Sequence, residues 1–461
     1  MKNRKTAKRV TFFLLLSLLM LSATGTIAQN RIWTLEDCIY YAIENNIRIK
    51  QSELNVEMSE VDLLESKLSL LPSLNGNTSF SYNWGRVLDR TDYRYYNRET
   101  NQAYFNLDAN MRLFGGLQYQ NAIKKDKIDF QASKFAADKV KDDISLLLTQ
   151  AYLSIIFNKE LVRVAQEQVN ITNEQINRTE KMVDAGTLAR GSLLEIQAQG
   201  ASEEINLINY ENSLELAYLD LLQLLDLPAN TDFDIAIPEF DVDPAMDLIP
   251  VSDVYEYAII NQPEIKSAEL DVESAYKSVD IAQGGRSPVL SLQGGWSTNY
   301  SNQFRELDTA TFTYTDVIPF GEQFENNQAR YLGVNLNIPI FNGYQVSSNV
   351  SRAKMQAANA EYELELTKNN LRKTIEQSYN DARAAYKTYV ATQKSLNSIE
   401  ESFRYTEQRF NVGMANSVDY NIAKTQLTAA ESELIRTKFD YIFKTKILDF
   451  YMGKPLTLEN Y

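Results

Sequence analysis

The chain has 461 residues with 46 basic and 61 acidic side chains, a net charge of −15, no histidine, one cysteine, 17 glycines and 10 prolines. Without histidine the chain lacks the usual general base, the commonest metal ligand and every Ser-His triad, and one cysteine forbids an internal disulfide or a cysteine-cluster metal site. Because so acidic a chain also has no glycine-rich phosphate loop, we expect no nucleic-acid binding, no cofactor, no metal site and no catalytic residues.

Residues 1–28 have the three parts of a secretory signal peptide. Basic residues begin the segment, an apolar stretch occupies residues 11–21, and small residues stand at positions 26 and 28 before the expected cleavage site. A membrane anchor is the weaker interpretation, because the apolar stretch from 10 to 21 has 12 residues, whereas a membrane span needs about 20. We therefore expect the mature chain to be exported.

The rest of the chain is an internal duplication with two constant offsets. An offset of 216 pairs Ala42 with Ala258 and Pro72 with Pro288. An offset of 227 gives the further identical pairs Phe114 and Phe341, Gly116 and Gly343, Gly186 and Gly413, and Pro228 and Pro455. The first repeat is residues 29–228, an acidic connector follows at 229–250, and the second repeat is residues 251–461.

Each repeat is predicted to contain a helix, two strands, a very long helix and a further helix. The first repeat has a helix at 34–71, strands at about 74–86 and 102–114, a long helix at 117–185 and a helix at 192–226. The second repeat has a helix, strands at about 289–300 and 331–341, a long helix at 344–412 and a helix at 416–452. Both long stretches lack glycine and proline, and each helix would be roughly 100 Å long.

Heptad repeats run along both long helices and indicate coiled-coil packing. In the first helix one apolar seam is Leu148, Ile155, Val162, Val169, Ile176 and Val183. A second seam, mostly small or polar, is Ile144, Ala151, Asn158, Ala165, Thr172 and Thr179. A soluble structural coiled coil would also explain these seams. The strands therefore decide whether the protein is soluble or spans a membrane.

The four strands alternate apolar and polar residues over nine or more positions. A soluble, half-buried sheet would show the same alternation, but 10 to 13 residues with aromatic ends match the ~9–11 residues of a tilted membrane strand. Four strands cannot close a barrel, and an open edge in lipid leaves backbone groups unpaired. The chain must then oligomerise, and cyclic symmetry permits barrels of eight, twelve or sixteen strands from two, three or four chains.

The helices at 34–71 and 192–226 could stack beside a long helix and continue the barrel as a helical tube.

The residues resemble the TolC-type outer-membrane efflux proteins over essentially the whole mature chain. The resemblance rests on WTLEDCIYYAIENN at 33–46, LPSL at 71–74, LFGG at 113–116, IFNG at 340–343, and the helical turns at 184–199 and 411–426. It implies a mixed α and β membrane protein: a homotrimer whose four strands per chain form a twelve-stranded transmembrane β-barrel, continued by a periplasmic α-helical coiled-coil barrel. It also implies a multi-pass outer-membrane location in contact with lipid, a periplasmic adaptor (membrane fusion) protein, and a proton-driven or ATP-driven inner-membrane pump.

The resemblance also assigns roles to residues around the two helical turns. The turns at Gly186 and Thr187, and at Gly413 and Met414, would contact the adaptor. Asp419, with Ser192 at the equivalent position of the first repeat, would form an entrance constriction, and three Asp419 carboxylates in a trimer would favour cations. This chain has Ile422 where family members can have a second acidic residue, and Ala415 where some have a basic latch. A single solvated aspartate is the alternative interpretation of Asp419.

The strand register assigns further residues. Asn106, Asp108, Asn110 and Arg112 would face the barrel lumen, or an exposed sheet face if the sheet is soluble. Pro72, Gly116, Pro288 and Gly343 mark the joints between strands and helices, and loops 87–101 and 301–330 would be extracellular.

The leading functional prediction is a passive exit duct for efflux or type I secretion. The alternatives are a trimeric surface adhesin with a coiled-coil stalk and a soluble periplasmic scaffold. An adhesin of that kind would have its four strands together at the C-terminus, whereas here the hairpins lie near 74–114 and 290–340. Exporters of drugs, metal ions, polysaccharides and proteins share these features, so the sequence does not identify the cargo.

Overall fold

The computed structural model describes residues 32–88, 93–238, 249–311 and 313–458. The predicted signal peptide at 1–28 lies outside the described residues, as does much of the acidic connector. The chain divides into two compact units. The helical unit comprises the described parts of Met1–Ser52, Asp138–Gln262 and Asn370–Tyr461, and the sheet unit comprises those of Glu53–Ala137 and Pro263–Asn369.

The helices of the two repeats match one another in length and spacing. Those of the first repeat are α1 Leu35–Asn45, α2 Ile47–Leu68, α3 Gln118–Asp184 and α4 Arg190–Leu224. Those of the second are α5 Val251–Asn261, α6 Pro263–Gly284, α7 Phe320–Asn326, α8 Gln345–Asn411 and α9 Ser417–Tyr451. Apart from α7, equivalent helices have 11, 22, 67 and 35 residues in both repeats. The starts differ by 216 residues for the first two helices and by 227 for the last two, which confirms the internal duplication.

The helix predicted at 34–71 is two helices, because the chain breaks at Asn46, where ψ is 130°. The Asn46 side chain accepts a hydrogen bond from the Arg48 N–H at 2.9 Å and donates one to the Leu224 carbonyl at 2.8 Å. In the second repeat the break falls at Gln262, before Pro263, whose ring disfavours helical backbone at the preceding residue. The single-helix prediction was wrong because the Asn46 break depends partly on a tertiary hydrogen bond to a residue 178 positions away.

The core of the helical unit forms where α1, α3, α4 and α9 pack together. Leu148 and Ile155 of the apolar heptad seam are fully buried there, with Leu221 and Ile442. The single cysteine, Cys38, is also buried in this cluster as a small apolar residue. Among the described residues, no helix combines the length and the apolar character needed to cross a membrane.

The strands are β1 Ile32–Trp33, β2 Ser73–Leu88, β3 Tyr95–Gly115, β4 Asp234–Ile235, β5 Val289–Ser301, β6 Arg305–Asp308, β7 Thr313–Val317 and β8 Ala329–Asn337. In the sheet unit, β2, β3, β5 and β8 lie in that order in one antiparallel sheet. Ser73 faces Asn110 in the first hairpin, and Val289 faces Asn337 in the second. These positions differ by 216 and 227, so the two hairpins share one register.

Two strand bounds differ from the prediction. β3 begins at Tyr95 rather than near 102, because its first residues pair with the end of β2, where Leu88 faces Tyr95. Much of the predicted loop at 87–101 therefore belongs to a hairpin. β8 ends at Asn337 rather than near 341, because Asn337 already faces Val289, the first residue of β5. Residues 338–341 thus have no strand partner among the described residues.

The predicted loop at 301–330 contains folded structure. It holds the β6–β7 hairpin and α7, and the ring of Phe324 lies 5.5 Å from that of Phe105 and 5.8 Å from that of Trp296. Gln323 is 2% exposed, and its Oε1 accepts a hydrogen bond from the Ser301 N–H at 2.9 Å. The helix therefore covers one end of the apolar sheet face, where aromatic rings on neighbouring strands give it a surface to pack against.

Candidate functional site

The turn after the first long helix is a Schellman cap. The N–H of Gly186 donates to the Val183 carbonyl at 2.9 Å, and the N–H of Thr187 donates to the Met182 carbonyl at 2.9 Å. Gly186 has φ of +71°, in the left-handed region that glycine adopts without steric cost. The turn forms here because a glycine stands two residues after Asp184, the last residue of α3.

The turn after the second long helix has the same hydrogen bonds. Gly413, with φ of +78°, donates to Phe410 at 3.0 Å, and Met414 donates to Arg409 at 2.7 Å. Both turns are exposed, and the Met414 side chain is 71% exposed. The two predicted adaptor-contacting turns are therefore alike in backbone and accessible in both repeats.

The helices after the two turns begin differently. In α9, the Asn416 side chain accepts a hydrogen bond from the Asp419 N–H at 2.8 Å, so Asn416 caps the helix. In α4, Ala189 precedes the first turn without a side-chain cap, and the Ser192 N–H donates to its carbonyl at 3.1 Å. Asp419 is exposed and Ser192 is half-buried. Asp419 lies in the first turn of α9, where a carboxylate also interacts favourably with the helix dipole.

A shallow groove of about 630 Å³ runs between the starts of α4 and α9. The Ser417 hydroxyl donates to the Glu195 carboxylate and joins the two helices there. Val418 and Ile422 line the groove, and both are about half exposed. Ile422, which replaces the second acidic residue suggested by the resemblance, thus contributes an apolar surface beside Asp419.

Aromatic packing joins the end of α8 to the start of α9 beside the second turn. The ring of Tyr420 stacks on that of Phe410 at 4.8 Å and lies 5.5 Å from that of Phe403. Burial raises the pKa of Tyr420 to about 12. Arg178 of α3 donates to the Asn411 side chain at 3.2 Å, so α3 is also connected to the end of α8.

A buried ion pair lies farther along the same helices. Lys424 Nζ is 3.4 Å from Glu203 Oε1, and the two side chains are 5% and 9% exposed. Lys424 donates to the Thr172 hydroxyl, which donates to Glu203, and Gln199 donates to the same carboxylate at 3.0 Å. Burial lowers the pKa of Lys424, although the charge of Glu203 acts in the opposite direction. The pair therefore connects α3, α4 and α9 through one polar cluster.

A cavity of about 380 Å³ adjoins this cluster and is lined by residues of α3, α8 and α9. Gln168 is 8% exposed and donates to Glu431 at 3.4 Å. Burial raises the pKa of Glu431, and the nearby carboxylates of Glu167 and Glu400 add to this effect. Within the described part of the chain, no group of three or more histidine, cysteine, aspartate or glutamate side chains could hold a metal ion.

The residues predicted to line a lumen share one face of the sheet at Asn106, Asp108 and Asn110. Asn106 donates to the Asp108 carboxylate, which also accepts from the Tyr331 hydroxyl at 3.1 Å. Arg112 lies where the β3–β5 register shifts, and its guanidinium is 4.9 Å from the centre of the Tyr119 ring. Asp108 therefore makes contacts across the sheet, to β8, as well as along its own strand.

A family model described as outer membrane efflux protein matches residues 38–226 and 254–453. The chain belongs to the outer membrane efflux protein family. This efflux protein is 21% identical over 414 residues to the outer membrane efflux protein BepC of Brucella suis biovar 1, covering 89% of this chain and 83% of BepC. It is 22% identical over 430 residues to the outer membrane protein TolC of Escherichia coli K12, covering 92% of this chain and 83% of TolC.

The solved structure of CusC has the same fold. It matches this efflux protein with a TM-score of 0.74 and 17% sequence identity, covering 93% of this chain and 96% of CusC. The resemblance to TolC-type proteins is therefore confirmed, and the protein is an outer-membrane efflux channel protein.

The joint between a strand and the following long helix differs between the two repeats of this efflux protein. Gly116 has φ of +64° and Gly343 has φ of +57°, and in each repeat the next residue, Leu117 or Tyr344, also has a positive φ. A Cβ atom at Gly116 would lie 2.3 Å from the Gly284 carbonyl oxygen, whereas one at Gly343 would meet no described atom within 4 Å. Pro72 and Pro288 directly precede the first residues of β2 and β5.

The buried pair of Lys424 and Glu203 was not predicted from the sequence. The available signal was Thr172, which places a polar residue in a heptad seam facing the core. The offset of 227 would place the equivalents of Glu203 and Lys424 at Ala430 and Gln197, so the duplication offers no second copy of the pair. Its partners lie on three helices, and a heptad pattern does not determine which seams face each other.

Proposed function

We propose that this protein is the passive exit duct of a tripartite efflux or type I secretion system. In this proposal a homotrimer forms a twelve-stranded transmembrane barrel that continues as a periplasmic helical barrel. The observation that carries the proposal is the four-stranded sheet, whose two hairpins repeat in one register and whose outer strands, β2 and β8, pair with no further strand among the described residues. Such edges cannot remain open in lipid, and a ring of chains closes them.

The two faces of the sheet differ in polarity, and this difference supports an assignment of one face to the lumen and the other to lipid. Asn106, Asp108 and Asn110 form a polar face suited to a water-filled lumen. The opposite face carries alternating apolar residues such as Phe80, Leu107 and Val334, and suits contact with outer-membrane lipid. Arg112 would lie at the periplasmic end of the lumen.

The two glycine turns would form the periplasmic entrance. Each repeats the same exposed cap, so an adaptor protein with a repeating surface could contact Gly186 with Thr187 and Gly413 with Met414 in similar ways. Asp419 and Ser192 follow these turns, and in a trimer the three Asp419 carboxylates would form a ring that favours cations. An inner-membrane pump, proton-driven or ATP-driven, would deliver cargo through the adaptor.

Channel recordings test the duct and the entrance together. We expect the purified protein in planar bilayers to conduct ions with a cation preference and to be blocked by multivalent cations. Asp419→Ala should reduce both properties, whereas Glu365→Ala, the same charge change at an exposed position of α8 in the sheet unit, should leave them unchanged. The absence of any conductance would contradict the duct, and equal effects of the two variants would contradict the constriction.

Photo-crosslinking in cells tests the partners. A photoreactive residue at Ala415, beside the second turn, should capture a periplasmic adaptor, while one at Glu365 should not. Capture of an adaptor with a proton-driven pump would indicate small-molecule or metal efflux, and capture with an ATP-driven exporter would indicate protein or peptide secretion. If no periplasmic protein is captured at Ala415, the turn assignment is wrong.

A further inference from the structure

The internal duplication makes a specific prediction about the contact between neighbouring chains. Within one chain, β3 of the first repeat pairs with β5 of the second. The equivalent of β3 in the second repeat is β8, and the equivalent of β5 in the first is β2. In a ring of chains, β8 should therefore pair with β2 of the next chain in the way that β3 pairs with β5.

We propose that β8 pairs antiparallel with β2 of a second copy of this chain, with Val334 facing the partner's Phe80 and Asn335 facing the partner's Ser79. This inference rests on the proposed ring and adds its register. It follows from two pairs observed within the chain, Leu107 with Trp296 and Asp108 with Gly295. Adding 227 to the β3 positions and subtracting 216 from the β5 positions gives the two intermolecular pairs.

The offsets are justified by the structure as well as by the sequence. The Ser73–Asn110 pair of the first hairpin and the Val289–Asn337 pair of the second are related by the same two numbers. The repeats therefore agree in strand register at the one place where both copies of a pairing lie within the chain. Among the described residues the β3–β5 pairing has only one copy, and its second copy requires another chain.

Side-chain chemistry agrees with this register. It places Val334 opposite Phe80 of the partner subunit on the apolar face, and Asn335 opposite Ser79 of the partner subunit on the polar face. Because side chains alternate between faces, a slip of one residue would place Val334 opposite a serine and expose an apolar side chain on the polar face. The register thus keeps both faces continuous across the joint.

Two apolar side chains beyond the end of β8 are far more exposed than their equivalents in the first repeat. Leu113 and Phe114 in β3 are 46% and 43% exposed, and Phe114 faces Leu290 of β5. Their equivalents in the second repeat, Ile340 and Phe341, are 95% and 88% exposed. The same arithmetic places Phe341 beside the partner's Leu74, so the neighbouring chain would cover these side chains and extend β8 beyond Asn337.

The helix joint gives a second, independent indication. Gly116 packs against Gly284 and Ser287, whereas no described atom lies within 4 Å of a Cβ built on Gly343. The equivalents of Gly284 and Ser287 are Leu68 and Leu71, which are 51% and 60% exposed. A leucine cannot approach as closely as a glycine, so the joint between chains should be wider than the joint within a chain and filled by leucine side chains.

Cysteine crosslinking in the full-length protein tests the register. In a Cys38→Ala background, Asn335→Cys with Ser79→Cys should oxidise to a ladder of covalent oligomers on a denaturing gel. Facing residues on paired strands have Cα atoms only ~4.5–5.5 Å apart, which suits a disulfide. The matched control, Asn335→Cys with Asn83→Cys, moves one thiol four residues, about 13 Å, along the same face and should give no ladder.

Two further measurements make every outcome informative. Asn106→Cys with Ser297→Cys, which face each other within one chain, should crosslink without increasing the chain's mass and so verifies the oxidation. Light scattering in detergent reports the assembly separately. An oligomer that fails to crosslink at Ser79, whether or not it crosslinks at Asn83, would overturn the register while leaving the proposed duct intact, whereas a monomer would overturn both.

Discussion

Lys424 Nζ lies 3.4 Å from Glu203 Oε1, and both side chains are more than nine-tenths removed from solvent. The pair joins two helices that follow equivalent turns, and Thr172 of the first long helix lies between the two charges. Because both charges are desolvated, each depends on the other for its electrostatic compensation. This polar cluster therefore connects α3, α4 and α9 through one buried ion pair.

Removing one member of this pair should strongly destabilise the helical unit. We expect Lys424→Met or Glu203→Leu alone to lower the free energy of unfolding by about 3–5 kcal/mol, because the remaining charge is buried without its partner. The double variant should lose much less, since no buried charge remains. Denaturant unfolding measures all three changes.

The control is the exposed pair of Lys444 and Asp381, whose charged atoms are 3.2 Å apart. Lys444→Met should cost less than about 1 kcal/mol, because solvent screens that pair. Equal losses in the two single-lysine variants would show that burial does not determine the strength of the Lys424 interaction.

Glu431→Gln should stabilise the protein at neutral pH. The pKa of Glu431 is raised above its usual value of 4.5, mainly by burial, with contributions from Glu167 and Glu400. A raised folded-state pKa gives stability below pH 4.5 that is lost as the pH rises through the folded-state value. The gain from glutamine should therefore be largest near pH 7 and disappear below about pH 4.

Glu433 on the same helix is a control of opposite sign. Its pKa is lowered, chiefly by a hydrogen bond from Arg436 at 2.8 Å. Glu433→Gln should thus slightly destabilise the protein at pH 7. The prediction for Glu431 fails if its glutamine variant is no more stable than the wild type at any pH from 4 to 8.

Asp234→Asn should destabilise the helical unit at neutral pH and have little effect in acid. Burial alone would raise the pKa of Asp234, but hydrogen bonds from Lys159 at 2.5 Å and Tyr218 at 2.6 Å hold it below the usual 3.8. The carboxylate contributes stability above pH 3.8 that is lost as the pH falls through the lower folded-state pKa. We expect a loss of about 1 kcal/mol at pH 7, measured by unfolding across pH.

The matched control is Asp220→Asn, the same change at an exposed position of α4. It should alter stability by less than about 0.5 kcal/mol at any pH. A difference between wild type and Asp234→Asn that persists unchanged at pH 3 would contradict the assignment to the ionised carboxylate.

Gly116→Ala should disrupt the joint between β3 and α3. Its backbone is left-handed, which costs roughly 1–2 kcal/mol for a residue with a Cβ, and the new atom would lie 2.3 Å from the Gly284 carbonyl oxygen. We expect a lower thermal midpoint and a lower yield of folded protein. Gly191→Ala, in helical backbone with no described atom within 4 Å of its new Cβ, should be neutral or stabilising.

Much of the architecture could be predicted from the sequence, because long elements leave long periodic patterns. The predicted helix at 117–185 and the observed Gln118–Asp184 differ by one residue at each end, since glycine and the loss of the heptad pattern mark the boundary locally. The offsets of 216 and 227 likewise recur in the helix bounds and the strand registers. The two copies within one chain therefore provided information that a single copy would not contain.

Tertiary structure alone decided the features that depend on distant partners. The break at Asn46 depends on a hydrogen bond to Leu224, and the burial of Lys424 depends on which helical seams face each other. The packing of α7 on Phe105 and Trp296 arises within the segment 301–330, which the sequence predicts only as a loop. Sequence periodicity determines what each element is and which of its faces is apolar. Which faces meet is decided by packing between residues far apart in the chain, and no local pattern records it.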